Sequence, residues 1–217
     1  MSLKTGVIGL GRIGKIHLNN LLNRIPDVEV KTISDISEEV LGKIQSDFNL
    51  SESIKITQDY MDIMEDEEIE AVIVTSPTPT HTEIILEAIS KKKHIFCEKP
   101  IALKIENINK IMDSLKGSNL TFGVGFNRRH DPSFSKAREM IKSGKIGKPY
   151  MVKITSRDPE PPPLDYIKKS GGIFLDMSIH DLDMARFLVD DKVSQIMAVG
   201  ECLVNPKISK FNDIDTA

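Results

Sequence analysis

The chain has 217 residues, 40% hydrophobic and 28% charged, ordinary figures for a globular protein long enough to bury a substantial core. Its 29 Lys and Arg against 32 Asp and Glu leave a net charge of −3, divided as 14 basic and 19 acidic up to residue 123 and 15 and 13 beyond it, so neither part reads as a nucleic-acid binder. No apolar run reaches the eighteen residues of a membrane span, and no signal peptide is legible at the amino end. The two cysteines, Cys97 and Cys202, stand far apart with no CxxC or Cys/His neighbour, which argues against a disulfide scaffold or zinc cage and for a reducing, cytoplasmic home.

Lys4 to Leu10 is a short apolar run ending in glycine, and Ile13 to Leu22 then carries apolar residues at helical spacing, which predicts strand, glycine turn, helix. Val28–Ile33 predicts a second strand. Ser37–Phe48 predicts a second helix with Ser37 as its cap, and Ala71–Thr75 a buried strand. A helix over Thr80–Lys91, a strand over His94–Cys97 and a helix over Lys104–Lys116 follow. Alternating strands and helices predict a doubly wound parallel sheet covered on both faces, an α/β domain over residues 1–123.

From Thr121–Phe126 onward the pattern changes, and residues 124–217 are read as a second domain. Its predicted parts are a basic helix ending at Lys142, a long strand Tyr150–Arg157, a helix Ile173–Leu188 and a strand Val193–Leu203. Between them Asp158–Pro163, with four prolines in six residues, is a surface or site-lining loop.

Gly9-Leu10-Gly11-Arg12-Ile13-Gly14 fits GxGxxG. The first glycine serves the tight turn, the second the approach of a pyrophosphate and the third close helix-to-strand packing, while the helix amino terminus faces the phosphates. Asp35 lies twenty-one residues beyond Gly14, at the end of the second strand, where a carboxylate accepts from a ribose diol and repels a 2′-phosphate. NAD is therefore favoured over NADP, although Arg12 on the same turn leaves weaker NADP use open.

Asp176 and His180 are four apart in a predicted helix and share a face, with Asp183 a further turn along. Three readings stay open on spacing alone: a proton-abstracting dyad, a metal site from Asp176, His180 and Asp183, and a solvated helix face. The metal reading lacks a further clustered ligand. Two other features favour a site. Glu98-Lys99-Pro100 follows a strand at the sheet edge where ligands bind, and a lysine before proline leaves in a fixed direction. In Gly125–Asp131, strand alternation would put Asn127 and Arg129 on one face, suited to a polyhydroxy ligand.

These motifs, with GFNRRHDPSF, ITSRDPEPPPLDYIKKSGGIFLDMSIHD and DMARFL, resemble the family of NAD(P)-dependent sugar and polyol dehydrogenases that includes glucose-fructose oxidoreductase and the inositol dehydrogenases, and within it the inositol-oxidising members. The resemblance covers essentially the whole chain. It implies Lys99, Asp176 and His180 as the catalytic set. Gly9, Gly11, Arg12, Ile13, Gly14, Asp35, Ser76, Pro77, Glu98 and Lys99 would lie at the cofactor, with Asn127, Arg129 and Asp158 joining the catalytic three around substrate. His81 is implied as structural. The implied reaction oxidises a ring CH–OH, myo-inositol to 2-keto-myo-inositol, with another polyol or sugar, or a cofactor-sensing regulator, as rivals. Family members run longer, so the resemblance implies that residues 124–217 form an incomplete α+β substrate domain with an open, mainly antiparallel sheet, and that the chain is a fragment of a homotetramer.

Overall fold

The structure, a computed structural model, describes residues 2–217 and divides into two compact units, the first ending at Gly125 and the second spanning Phe126–Ala217. In the first unit the strands are β1 (Leu3–Ile8), β2 (Val28–Ser34), β3 (Lys55–Thr57), β4 (Ala71–Val74), β5 (His94–Cys97) and β6 (Phe122–Val124). They form one sheet in the order β3-β2-β1-β4-β5-β6, and every pairing is parallel. The helices between them are α1 (Arg12–Asn23), α2 (Glu38–Asp47), α3 (Met61–Glu65), α4 (Thr78–Ser90) and α5 (Ile105–Leu115). This is the expected doubly wound sheet.

The apolar strands are continuous because both faces are covered. Val7 and Ile8, neighbours on β1, point to opposite sides. Val7 packs with Leu18, Leu21, Ile33 and Ile44, whereas Ile8 packs with Val72, Ile84, Ile85 and Ile95. Each such side chain, fully buried, contributes about 1.5–3 kcal/mol. Ser37 caps α2 by accepting from the Val40 N–H at 3.3 Å, as its position in the sequence suggests. The short β3 and α3 have too few residues to show a period and were not legible beforehand.

The second unit contains α6 (Pro132–Lys142), α7 (Leu164–Ser170) and α8 (Ile179–Val189). Asp131 caps α6, accepting from Ser133 N–H at 2.8 Å, with Pro132 in the first turn. Three expectations need correction. Asn127–His130 is a 3₁₀ turn, so strand alternation does not govern Asn127 and Arg129. Residues 150–157 and 193–200 carry no regular structure, because no described segment pairs with them and a strand needs lateral hydrogen bonds. Of the antiparallel sheet, the described residues hold a single bridge, Glu201 to Thr216. The helix expected from Ile173 opens instead as a π-helical turn, Phe174–Ser178, before α8. No described helix is long and apolar enough to cross a membrane.

Candidate active site

In the first unit the strand order reverses between β1 and β4, and ligands of open α/β sheets bind beyond the strand ends at such a switch point. The glycine turn lies there. Gly9 has φ +88°, and a Cβ on it would stand 2.5 Å from Ser76 N and Cα, so the turn rests directly on the chain leaving β4. Thr75 Oγ1 donates to the Gly9 carbonyl. A Cβ on Gly14 would run into the Gly9 carbonyl and stand 2.8 Å from Thr75 Oγ1, which is the close helix-to-strand packing expected of the third glycine. Around Gly11, by contrast, nothing lies within 4 Å of an added Cβ. Gly11 is also the N-cap of α1, which has no side-chain cap, leaving amide donors at the helix end for an anion. The residues present therefore fit a dinucleotide pyrophosphate.

Asp35 follows β2 and is half-buried. One oxygen accepts from Leu10 N–H at 2.7 Å and the other from Ser37 N–H at 2.9 Å. The carboxylate thus holds the glycine turn to the start of α2, a duty that spacing did not reveal. Arg12 is exposed and Ile13 half-buried on the first turn of α1. Ser76 and Pro77 lead into α4, with Pro77 as its N-cap and the Ser76 hydroxyl 2.8 Å from that of Thr80.

At the end of β5, Glu98 accepts from the backbone N–H of Lys99 at 3.2 Å and lies 2.8 Å from His17 Nε2. Lys99 and Pro100 are joined by a cis peptide bond. His81 is buried, its Nδ1 2.9 Å from the Pro100 carbonyl oxygen and its Nε2 2.8 Å from that of Ser76, so it bridges the turns after β4 and β5. Burial and the adjacent Glu98 push the Cys97 thiol far up, leaving it protonated and unreactive. A cavity of about 580 Å³ lined by Glu65, Glu67, Glu70, Lys91 and His94 lies at the opposite ends of these strands, away from the glycine turn, and we assign it no chemistry.

Within the second unit Asp176 belongs to the π-helical turn and His180 to the first turn of α8, so the sequence-predicted pair stays within one turn of chain. Tyr166 on α7 donates its hydroxyl to Asp176 Oδ1 at 2.9 Å. Asp183 is buried and is taken by Arg129, whose Nε donates to Oδ2 at 2.8 Å with a second bond to Oδ1. That bond holds the guanidinium firmly charged. The guanidinium also lies over Phe126 and Phe187 at 5.7 and 5.5 Å. Arg128 pairs likewise with Asp181, which accepts from Ser156 as well. Asn127 and Asp158 are exposed.

Two of these residues were not found by reading the sequence. His17 shares a face with buried Gly14, Leu18 and Leu21, and a polar side chain on such a face was the available signal. Tyr166 is separated from Asp176 by Gly171 and Gly172, both at positive φ, which breaks any periodic relation between them.

Residues 3–126 match the family described as an oxidoreductase family with an NAD-binding Rossmann fold, and residues 134–217 match the GFO/IDH/MocA C-terminal domain. Myo-inositol 2-dehydrogenase of Thermotoga maritima is 44% identical over 99% of this chain and 63% of its own length. Scyllo-inositol 2-dehydrogenase (NAD(+)) of Bacillus subtilis is 35% identical over 99% and 62%. Among solved structures, a probable dehydrogenase from Thermotoga maritima superimposes with a TM-score of 0.92 at 44% identity, covering 98% of this chain and 63% of that one. Scyllo-inositol dehydrogenase from Lactobacillus casei with bound NAD(H) and scyllo-inositol gives 0.86 at 30% identity, covering 99% and 64%. The chain thus spans less than two thirds of the length of these relatives. With both of its units matched in order, it belongs to the GFO/IDH/MocA oxidoreductase family, whose NAD-binding Rossmann domain it carries.

Proposed function

We propose that the protein to which this chain belongs oxidises a ring CH–OH of an inositol, myo-inositol to 2-keto-myo-inositol, with NAD. The observation that carries this reading is Asp176, bonded by Tyr166 and one turn of chain before His180 at the head of α8, in a chain that also has Lys99 just after β5 and a glycine turn shaped for a dinucleotide. The relatives named for myo- and scyllo-inositol support the substrate class.

Gly11 and the amide groups opening α1 would hold the pyrophosphate, Asp35 the adenosine ribose, and Ser76, Pro77 and Glu98 the remainder of the cofactor. Bound NAD supplies the two-electron acceptor. The chain's own groups manage the proton and the charge. His180 takes the hydroxyl proton, Asp176 orients the imidazole and stabilises its charged form, and Lys99 donates to the reacting oxygen as negative charge develops there. Asn127 and Asp158 are assigned to the other hydroxyls. Arg129 is assigned there too, though its bidentate bond with Asp183 leaves it fewer donors to offer.

We further place the protein in the cytoplasm, a reading supported by its two free cysteines, and read it as a homotetramer. Exposed apolar side chains such as Met151, Met197 and Val199 support self-association. The test of the chemistry is His180→Ala, assayed as NADH formation from myo-inositol, scyllo-inositol and glucose. Turnover should fall about 10²–10⁴-fold. Near-normal turnover on myo-inositol would end the proposal, and faster turnover of the unaltered protein on another polyol would replace the substrate.

A further inference from the structure

We infer that His17 is a positioning residue for Lys99, acting through the side chain of Glu98. The inference rests on the reading of Lys99 given above. Glu98 is held from three directions. Its Oε1 lies 2.8 Å from His17 Nε2, and its Oε2 accepts from the backbone N–H of Lys99 at 3.2 Å. On the third side is Gly125, where an added Cβ would stand 2.8 Å from the carboxyl carbon and both oxygens. The His17 ring is steadied in turn by Phe96, with centroids 5.1 Å apart and planes at 60°. Both partners are largely buried, at 26% and 19% side-chain exposure, so the contact is sheltered from the water that weakens surface pairs.

The far flank of the same turn is already fixed, because Pro100 offers its carbonyl to buried His81. The near flank has Glu98 as its anchor, and Glu98 touches the backbone from which the Lys99 side chain departs. Without His17 the carboxylate keeps room to swing, and the Lys99 amide loses an oriented acceptor. His17 sits five residues into α1, about 7.5 Å along the axis from Arg12, on the helix whose amino end faces the dinucleotide site. One rigid helix therefore connects the pyrophosphate-binding turn to the lysine.

The test labels lysines of the 217-residue chain with ¹³C-methyl groups and follows Lys99 by NMR, its resonance assigned by its loss in Lys99→Arg. His17→Ala should displace or broaden that resonance. His17→Gln, whose amide can donate to Glu98, should restore it, which a mere packing role for the ring would not do. In the inositol assay His17→Ala should lower kcat by about 10- to 100-fold with little change in the KM for inositol, the pattern of a misplaced catalytic group. A Lys99 resonance that His17→Ala leaves in place, or that His17→Gln displaces as far, overturns the inference. If Lys99→Met retained inositol oxidation while His17→Ala still moved the resonance, the catalytic reading of Lys99 would fall and the positioning would stand.

Discussion

Gly11 and Gly14 belong to one motif, yet alanine at each should do opposite things. At Gly14 the new methyl would meet the Gly9 carbonyl and lie 2.8 Å from Thr75 Oγ1 and 3.0 Å from Gly9 C, against about 3.5 Å or more for an unstrained carbon contact. Most of those atoms are backbone and cannot rotate away, so α1 must shift from β1. Overpacking of this kind costs about 1–3 kcal/mol. For a protein of this size each kcal/mol moves the melting temperature by about 2–4 °C, giving a fall of about 2–12 °C. At Gly11 the backbone is at φ −64° and ψ −167°, open to any residue, and the methyl meets nothing within 4 Å. The melting temperature should change little, since the gain of about 0.4–1 kcal/mol from restraining the unfolded chain is offset by a loss of about 1 kcal/mol on placing alanine at the N-cap of α1. The empty space is where the pyrophosphate is expected, so Gly11→Ala should weaken NAD binding about tenfold or more, or about 1.4 kcal/mol. Thermal melts and calorimetric NAD titrations on both variants decide the matter. Unweakened NAD binding by Gly11→Ala, or an unchanged melting temperature for Gly14→Ala, would refute the division of labour between them.

Asp35→Ser should narrow the preference for NAD over NADP and also loosen the glycine turn, because two backbone hydrogen bonds end on that carboxylate, each of a kind contributing about 1.5–3 kcal/mol. Parallel titrations with both cofactors check this, and an unchanged ratio would contradict the assigned ribose contact. Arg129→Met should leave Asp183 buried without its bidentate partner and lower stability by about 1–3 kcal/mol, discounted because the Arg129 side chain is 42% exposed. The urea midpoint measures it, and no change would mean the pair is incidental. Cys97, its pKa raised by burial, stays a thiol through neutral and mildly alkaline pH and gains reactivity only on unfolding. Iodoacetamide followed by peptide mass analysis should therefore label half-buried Cys202 first, and equal labelling of Cys97 in the folded protein would be inconsistent with that burial.

The first unit was legible because its signals are local. The run through Val7 and Ile8, the glycine spacing and the Ser37 cap each report on a few neighbouring residues, and the structure uses each as local rules require. Legibility fell where a residue's state depends on a distant partner. Arg129 reads as an unengaged donor until Asp183, fifty-four residues on, is seen to take two of its bonds. Residues 150–157 have strand-forming composition, but a strand exists only where another lies beside it, and nothing in composition supplies that neighbour. The Phe174–Ser178 turn differs from an α-helix by one residue of hydrogen-bond reach, too small a difference for hydrophobic spacing to register. His17 and Tyr166 escaped notice because their value lies in Glu98 and Asp176, eighty-one and ten residues away.

The strand order also sets a timetable for the growing polypeptide. β1 pairs with β2 on one side after a single intervening helix, but its other edge waits for β4, whose Val74 aligns with Ile8. Sixty-six residues separate that pair, and at synthesis rates of about 5–20 residues per second the edge stays open on the ribosome for about 3–13 s. During that interval Val7 and Ile8 belong to a half-built sheet able to pair with other chains. The vulnerable moment in this chain's synthesis therefore falls between β2 and β4, before Val74 has been made.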